Sequence, residues 1–294
     1  MEVLVFGAAG QLGSALRACA GETLGVIPAP RAVDIADRTA VAELLDGHRV
    51  DAVINAAAMT HVDAAEVDPM PAIRANTAGP ATLALSCRER NLPLVHVSTE
   101  AVYRGDQPLA YREGDACDPV SAYGISKLAG DLLVCDLHEG AWVVRTSWLY
   151  SAASSSNFPH RLRAQLQAHT RPIPVVTDVV GNPTPADLLA EAILELIPAA
   201  PAAGVYHVCC REPASKYDWA VVIAESLGYP ADRIEPTDST RYRSAARRPA
   251  YVDLDCGRFR ALGLTVLPTW QEAWQAGADA YRRDPTTAVV WGVT

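Results

Sequence analysis

Short apolar runs alternate with longer segments of helical periodicity through the first 150 residues, and this alternation constrains the fold more than any other feature. Five runs have the composition of buried strands: VLVF at 3–6, TLGVIP at 23–28, AVIN at 52–55, LVHVS at 94–98 and WVVRT at 142–146. Between them, segments such as LGSALRAC and ISKLAGDLLVCDL repeat apolar residues at helical spacing. The order predicts a parallel sheet with helices on both faces, which agrees with strands that are apolar throughout.

The second half of the chain is less regular. Helices are predicted near 157–168, 187–197 and 217–227, and strands at 173–176 and 205–210. Gly228 would end the third of these helices, and TWQE at 269–272 has the pattern of a capping box that opens a final helix. We therefore predict a doubly wound α/β domain over 1–150 and a smaller C-terminal α/β domain over 151–294, with segments at about 172–210 returning to the first domain.

Composition excludes several classes of protein. A formal net charge of −9 argues against a general surface for nucleic acid or anionic membranes. No apolar run approaches the roughly 20 residues that span a bilayer, and the start, MEVLVFGAAG, lacks the basic region of a secretory signal. Seven scattered Cys without a C-x-x-C pair indicate buried thiols in a reducing compartment. We expect a cytoplasmic protein with no nucleic-acid partner, no membrane partner and no metal site.

A glycine-rich turn follows the first strand. VLVFGAAGQLGSAL places Gly7, Gly10 and Gly13 at the opening of a helix. Glycines there permit close approach of backbone N–H groups to a pyrophosphate, which then lies at the positive helix N-terminus. The segment, with Gln11 and Leu12, is therefore a candidate dinucleotide site. The alternative is a tight turn with no ligand.

The segment SAYGISKLAG carries Tyr123 and Lys127 four residues apart. The chain has ten Tyr and only two Lys, so this spacing is an uncommon coincidence. On a helix, residues i and i+4 lie on one face and act on the same small volume. The pair is either catalytic or a surface Tyr packed on a Lys side chain.

The glycine spacing and the Tyr-x-x-x-Lys pair together resemble the extended short-chain dehydrogenase/reductase family. INAAAMT at 54–60 is similar to the family's N-A-A-A stretch, and VHVST ends with Thr99 where the family has a catalytic Ser or Thr. The resemblance implies a Rossmann-type fold with NAD(P) bound in the first domain, and it implies cofactor contacts from Ala56, Ala57 and Ala58. It also implies an active triad of Thr99, Tyr123 and Lys127. From the residues alone, Thr99 is also readable as a hydroxyl that caps a loop.

Further motifs resemble the dTDP-4-dehydrorhamnose reductase group within that family. STEAVYRG, YREGD and PVSAYGISKLAGD are similar to the group's S-T-D-Y-V-F, Y-x-E-x-D and P-x-x-x-Y-G-x-S-K-L-x-G-E. Downstream, VVRTSWLY, TDVVGNPT and ARRPAYVDLD also match, so the resemblance runs in order from residue 1 to about 270. The chain departs from the group at Glu100, Ala101 and Tyr103, where the group has Asp, Tyr and Phe. These positions flank Thr99, so they leave the identity of the 4-keto sugar open.

The resemblance assigns chemical roles. Tyr123 would give a proton to the developing alkoxide, and the Lys127 ammonium would lower the pKa of that phenol and hold the nicotinamide ribose. Thr99 would hydrogen-bond the carbonyl oxygen. Glu100 and Trp148 are candidates for contact with the sugar, although Trp148 is also readable as an ordinary core aromatic.

Cofactor preference depends on the residues after the second strand. Arg31 could pair with a 2′-phosphate, and Asp34 with Ile35 resembles the family's adenine-contacting pair. We expect NADPH, with NADH tolerated. The alternative for Arg31 is a solvated loop charge.

A basic loop at 241–248 holds four Arg in an otherwise acidic chain. Arg presents a planar fork that matches phosphate oxygens, and the R-P match selects Arg248 as a contact to the substrate diphosphate. The alternative is a solvated basic loop.

The sequence thus predicts an NAD(P)H-dependent reductase of the C4 ketone of a dTDP-4-keto-6-deoxyhexose. A sugar-nucleotide epimerase or dehydratase on the same fold is the first alternative. The second alternative is a regulatory subunit that binds methionine adenosyltransferase, because the group that this chain resembles also includes such a subunit. The oligomeric state is left open, with a homodimer as one option.

Overall fold

The computed structural model describes residues 1–21 and 24–282. The first residue of the predicted TLGVIP strand and the last twelve residues of the predicted C-terminal domain, 283–294, lie outside these ranges. The described strands are β1 Glu2–Phe6, β2 Gly25–Pro28, β3 Ala52–Asn55, β4 Leu94–Thr99, β5 Trp142–Thr146, β6 Leu149–Tyr150, β7 Ile173–Val176, β8 Val180–Gly181, β9 Thr184–Pro185, β10 Gly204–His207, β11 Ala214–Ser215 and β12 Ile234–Thr237. The described α-helices are α1 Gln11–Ala18, α2 Arg38–Asp46, α3 Val62–Val67, α4 Met70–Ile73, α5 Gly79–Glu89, α6 Ala122–Leu137, α7 Phe158–Ala168, α8 Ala186–Ala199, α9 Lys216–Ser226, α10 Gly257–Arg260 and α11 Trp270–Arg282.

Six of these strands form a parallel sheet in the order β10-β5-β4-β3-β1-β2. Successive residues of β1 point to opposite faces: Val3 and Val5 belong to one hydrophobic core, whereas Leu4 and Phe6 belong to the other. Helix α1 packs on α8, and helix α5 packs on both α2 and α6. The predicted doubly wound α/β fold is confirmed.

The strand order places a crevice at one edge of this sheet. From β1 the chain moves outward to β2, returns to β3 on the other side of β1, and then continues to β4, β5 and β10. A doubly wound sheet binds its ligands outside the carboxyl ends of the strands, near the point where the order reverses. The glycine turn after β1, the alanines after β3 and the Thr that ends β4 all lie at that edge.

The C-terminal half builds a smaller layer over the same edge. Three short two-stranded sheets pack against helices α9 and α11. They pair β6 with β9, β8 with β11 and β7 with β12. Around Trp219, the rings of Tyr150, Phe158 and Trp148 lie within 5.9 Å of its centroid, so much of this layer's core is aromatic.

The segment 172–210 returns to the central sheet only in part. Helix α8 packs on α1, and β10 pairs with β5 in the six-stranded sheet. Strand β7 does not return, because it pairs in parallel with β12 on the C-terminal side. Strand pairing across 60 residues is decided by packing, and the assignment of segments at about 172–210 to the first domain stays a prediction. The division of the chain at residue 150 stays a prediction.

Two helix signals were read correctly. Gly228 has a φ of 85°, a left-handed conformation that suits glycine at a helix end. At the last described helix, the Glu272 N–H donates to Thr269 Oγ1 over 3.3 Å, and the Thr269 N–H donates to Glu272 Oε2 over 2.9 Å. This reciprocal pair is the predicted capping box. No helix in the described ranges has the length and apolarity needed to cross a bilayer.

Candidate active site

A cavity of about 1050 Å³ opens at the carboxyl edge of the central sheet. Its lining combines the glycine turn, the ends of β3, β4 and β5, one face of α6, and segments of the C-terminal layer. The sequence-predicted site residues that line it are Gly10, Gln11, Leu12, Ala56, Ala58, Thr99, Glu100, Tyr123, Lys127, Trp148 and Arg248.

The glycine turn is built for close backbone approach. Gly7 has a φ of 79°, and a Cβ at this position would lie 2.5 Å from the Ala57 N atom. A Cβ on Gly13 would lie 2.2 Å from the Gly7 carbonyl oxygen, so α1 packs directly on the turn. Gly7, Gly13 and Ala57 are therefore outside the lining and support it from behind. Gly10 is the N-cap of α1 and supplies no side-chain cap.

Thr99 ends β4 and faces the cavity beside Glu100. Its Oγ1 accepts the Ala101 N–H over 3.2 Å and donates to Glu100 Oε2 over 2.8 Å. Burial raises the pKa of Glu100. The hydrogen bond from Thr99 and the Lys216 charge both act in the opposite direction and lower it. The pair gives the cavity a hydroxyl and a carboxyl group next to each other.

Tyr123 and Lys127 both line the cavity from α6, as their spacing predicted. The helix starts at Ser121, whose Oγ accepts the Gly124 N–H over 3.1 Å. Lys127 is 1% exposed, and its Nζ donates to the Val97 carbonyl oxygen over 2.8 Å.

The pKa values of this pair are set mainly by burial. Burial lowers the pKa of Lys127 to about 8, and the Asp131 charge opposes that shift. Burial also raises the pKa of Tyr123, and the Glu100 carboxylate raises it further. The pKa of Tyr123 is thus raised in the free protein, and its predicted lowering by Lys127 stays a prediction.

A buried polar network lies behind Lys127. His96 Nε2 is 3.4 Å from Lys127 Nζ and 3.6 Å from Asp131 Oδ1, and its Nδ1 is 3.1 Å from Asn55 Nδ2. Asp131 Oδ2 accepts from Arg145 Nε over 3.0 Å. Burial lowers the pKa of His96, so the imidazole is neutral. The network thus couples the Lys127 ammonium to a buried carboxylate.

Trp148 lies in the lining with a φ of 41°, which is strained for a residue with a side chain. Its ring packs on Gly181, where a Cβ would lie 2.5 Å from the indole. The Lys216 ammonium lies 3.3 Å from the centroid of the Trp148 ring. Sequence reasoning missed Lys216, although its rarity was a signal: it is the only Lys in the chain besides Lys127.

Arg248 lines the cavity but is already paired. Its Nη2 lies 2.6 Å from Asp63 Oδ2, an ion pair between residues 185 positions apart. The neighbouring Arg247 also lines the cavity and is absent from the ion pairs between described residues.

Besides Gly7, Gly13 and Ala57, three further predicted cofactor residues lie outside the lining. Arg31 is exposed after β2. Asp34 Oδ2 accepts from Arg74 Nε over 2.8 Å, and Ile35 is buried against Gly79. Their roles toward the cofactor stay predictions.

A doubly wound sheet, a glycine turn at its switch point and a Thr, Tyr and Lys group in one cavity define an oxidoreductase of the short-chain dehydrogenase/reductase type. The chain belongs to the family described as RmlD substrate binding domain, whose model matches residues 1–283. The resemblance stated from the motifs is thereby confirmed.

Individual relatives agree with this family. The chain is 35% identical to a dTDP-4-dehydrorhamnose reductase of Mycolicibacterium smegmatis, over 99% of this chain and 87% of the relative. It is 36% identical to a dTDP-4-keto-6-deoxy-D-glucose reductase of Streptomyces niveus, over 92% and 94%. A crystal structure of dTDP-4-dehydrorhamnose reductase from Bacillus anthracis in complex with NADP superposes with a TM-score of 0.89 at 30% identity, covering 94% of this chain and 97% of that one.

Proposed function

We propose that this protein reduces the C4 ketone of a dTDP-4-keto-6-deoxyhexose with NADPH as the preferred cofactor. The observation that carries the proposal is the placement of Thr99, Tyr123 and Lys127 in the cavity that the glycine turn also lines. Relatives named as reductases of such sugars support the substrate class.

The glycine turn fits a dinucleotide. Positions 7 and 13 admit no Cβ, and α1 begins at the cavity with no side chain capping its first N–H groups. Those N–H groups and the helix dipole favour a pyrophosphate. Gly10, Gln11 and Leu12 would hold it, with Ala56 and Ala58 beside the rest of the cofactor. When bound, NADPH supplies the hydride for the ketone carbon.

The chain's own residues handle the proton. Tyr123 is protonated in the free protein because its pKa is raised, so it begins as a donor to the ketone oxygen. Thr99 would orient that oxygen by exchanging its hydrogen bond to Glu100 for one to the substrate. Lys127, charged below pH about 8, would stabilise the phenolate that forms. It would also hold the nicotinamide ribose, as the family resemblance implies.

NADPH oxidation followed by absorbance, against a panel of dTDP- and UDP-4-keto sugars, tests the proposal. We expect turnover with at least one dTDP-4-keto-6-deoxyhexose, and NMR of the product will give its configuration. Absence of turnover with every sugar would refute the reductase function and favour the regulatory-subunit alternative. A nicotinamide that stays bound and is regenerated through the cycle would favour an epimerase.

Two further proposals accompany the function. The seven Cys are free thiols, which supports the proposed cytoplasmic location. The homodimer remains a proposal, and light scattering of the purified protein would test it.

A further inference from the structure

The second lysine of the chain is held in the cavity by aromatic rings. Lys216 is the first residue of α9, and its Nζ lies 3.3 Å from the ring centroid of Trp148 and 4.8 Å from those of Phe158 and Trp219. The Trp148 and Trp219 rings are stacked with an interplanar angle of 21° and form an aromatic wall behind the ammonium. Cation–π contact holds the ammonium against this wall.

The donors of Lys216 are unfilled within the protein. An ammonium carries three N–H donors. Between the described residues, no hydrogen bond or ion pair reaches Lys216 Nζ, and ring faces do not replace oxygen acceptors. Burial lowers the pKa of the Lys216 amine. The Glu100 charge raises this pKa, and the Arg161 charge lowers it further. An acceptor from a ligand would relieve that cost of burial.

Glu100 supplies the complementary group. Its Oε2 accepts from Thr99 Oγ1 over 2.8 Å and its own backbone N–H also bonds the carboxylate, whose oxygens have further lone pairs for a ligand hydroxyl. The cavity therefore presents donors on Lys216 and an acceptor on Glu100, with the face of Trp148 beside them.

We propose that Lys216 and Glu100 form a hydroxyl-binding site for the hexose ring, next to the carbon that Thr99 and Tyr123 address. This inference rests on the proposed function and adds a residue that determines which sugar is accepted. A hydroxyl group fits because it accepts from Lys216 and donates to Glu100 at once. A diphosphate fits less well, because the Glu100 carboxylate repels it and Arg247 and Arg248 present cations elsewhere in the lining.

Binding of non-reducible ligands tests this site without depending on turnover. Calorimetry compares dTDP-glucose with dTDP in wild type, Lys216→Met and Glu100→Gln. Met keeps the length and apolar contact of Lys216 but has no donor. We expect each variant to weaken dTDP-glucose about 10-fold or more and to leave dTDP affinity within about 2-fold. Equal weakening of both ligands would overturn the proposal in favour of a diphosphate contact, and no weakening of either would overturn it outright.

A substrate comparison identifies the hydroxyl. We expect Lys216→Met to lower kcat/KM about 10-fold or more for the parent 4-keto sugar. For the analogue that lacks the recognised hydroxyl, at C2 or at C3, the loss should be under about 3-fold. Equal losses for the parent and both deoxy analogues would overturn the proposal. If wild type reduces none of them, the proposed function fails while the calorimetry still decides the site.

Arg233→Met is the matched control. The Arg233 guanidinium lies 5.3 Å from the centroid of the Tyr229 ring and outside the cavity lining. This substitution therefore also removes a cation–π contact, but away from the site. We expect its affinity for dTDP-glucose to equal that of wild type. A loss there as large as in Lys216→Met would show that the effect is general destabilisation and would overturn the proposal. Thermal unfolding and NADPH affinity of each variant confirm that the fold and the cofactor site are intact.

Discussion

Replacing Asp131 by Asn should move the pH at which the enzyme loses activity. Asp131 lies one helical turn beyond Lys127, and His96 separates the two charges, with contacts of 3.4 Å to Lys127 Nζ and 3.6 Å to Asp131 Oδ1. The ammonium and carboxylate are therefore at most about 7 Å apart. At an effective dielectric constant of about 20, Coulomb attraction at that distance is about 2 kcal/mol, or roughly 1.5 pKa units.

The sign follows from which form of Lys127 is active. The pKa of Lys127 is about 8, so the ammonium is present below that pH and kcat/KM should fall as pH rises through it. Asp131 favours the charged form, and Arg145 faces the same site from β5. Removing the carboxylate leaves Arg145 uncompensated and lowers the pKa of Lys127 further. The decline should then move from near pH 8 to roughly pH 6.5.

The assay is kcat/KM for the keto sugar at saturating NADPH from pH 5.5 to 9.5, in wild type, Asp131→Asn and Asp131→Glu. Glu keeps the charge and should keep the wild-type profile. Loss of one partner of a buried ion pair costs about 3–5 kcal/mol, so a lower Tm is expected for Asn and does not by itself bear on the pKa. An Asn profile that declines at the wild-type pH would refute the coupling and leave Asp131 with a purely structural role.

Other variants test single roles. Tyr123→Phe should lower kcat by about 10²-fold or more at nearly unchanged NADPH affinity, and retention of a tenth of wild-type kcat would show that another group donates the proton. Arg31→Ala should weaken NADPH about 10-fold or more and spare NADH, whereas equal loss for both cofactors would remove Arg31 from the site. Arg248→Ala should raise the sugar-nucleotide KM about 10-fold or more, while Asp63→Ala, which frees the guanidinium, should not. An equal rise in KM for both variants would mean that the ion pair only fixes the loop.

Local patterns carried most of the fold prediction. The strand AVIN is buried at every position because both faces of the sheet are covered. Its largely apolar composition therefore indicates a strand inside the central sheet. The turn after β1 needs glycine at position 7 for its positive φ and at position 13 for helix contact. The Tyr123 and Lys127 spacing is a property of one helix. Each of these signals lies within one element and its neighbours.

Contacts between distant segments were beyond the sequence patterns. The composition of β7 indicates a strand but does not indicate which strand it pairs with. Only packing places it beside β12. Arg248 is basic in any loop, and the fold decides that Asp63 meets it. Asp34 is bound by Arg74 for the same reason.

The sequence by itself determined the doubly wound sheet, the glycine turn and the Tyr123 and Lys127 spacing, because periodicity, backbone conformation and helical spacing are encoded within short segments. Thr99 entered through the family resemblance. Tertiary structure alone decided the electrostatics of the cavity. The pKa of Lys127 depends on burial and on Asp131, and Lys216 reaches the site only because α9 folds back over Trp148. Charges act through space over several ångströms, so their effect depends on how chain segments far apart in sequence are brought together.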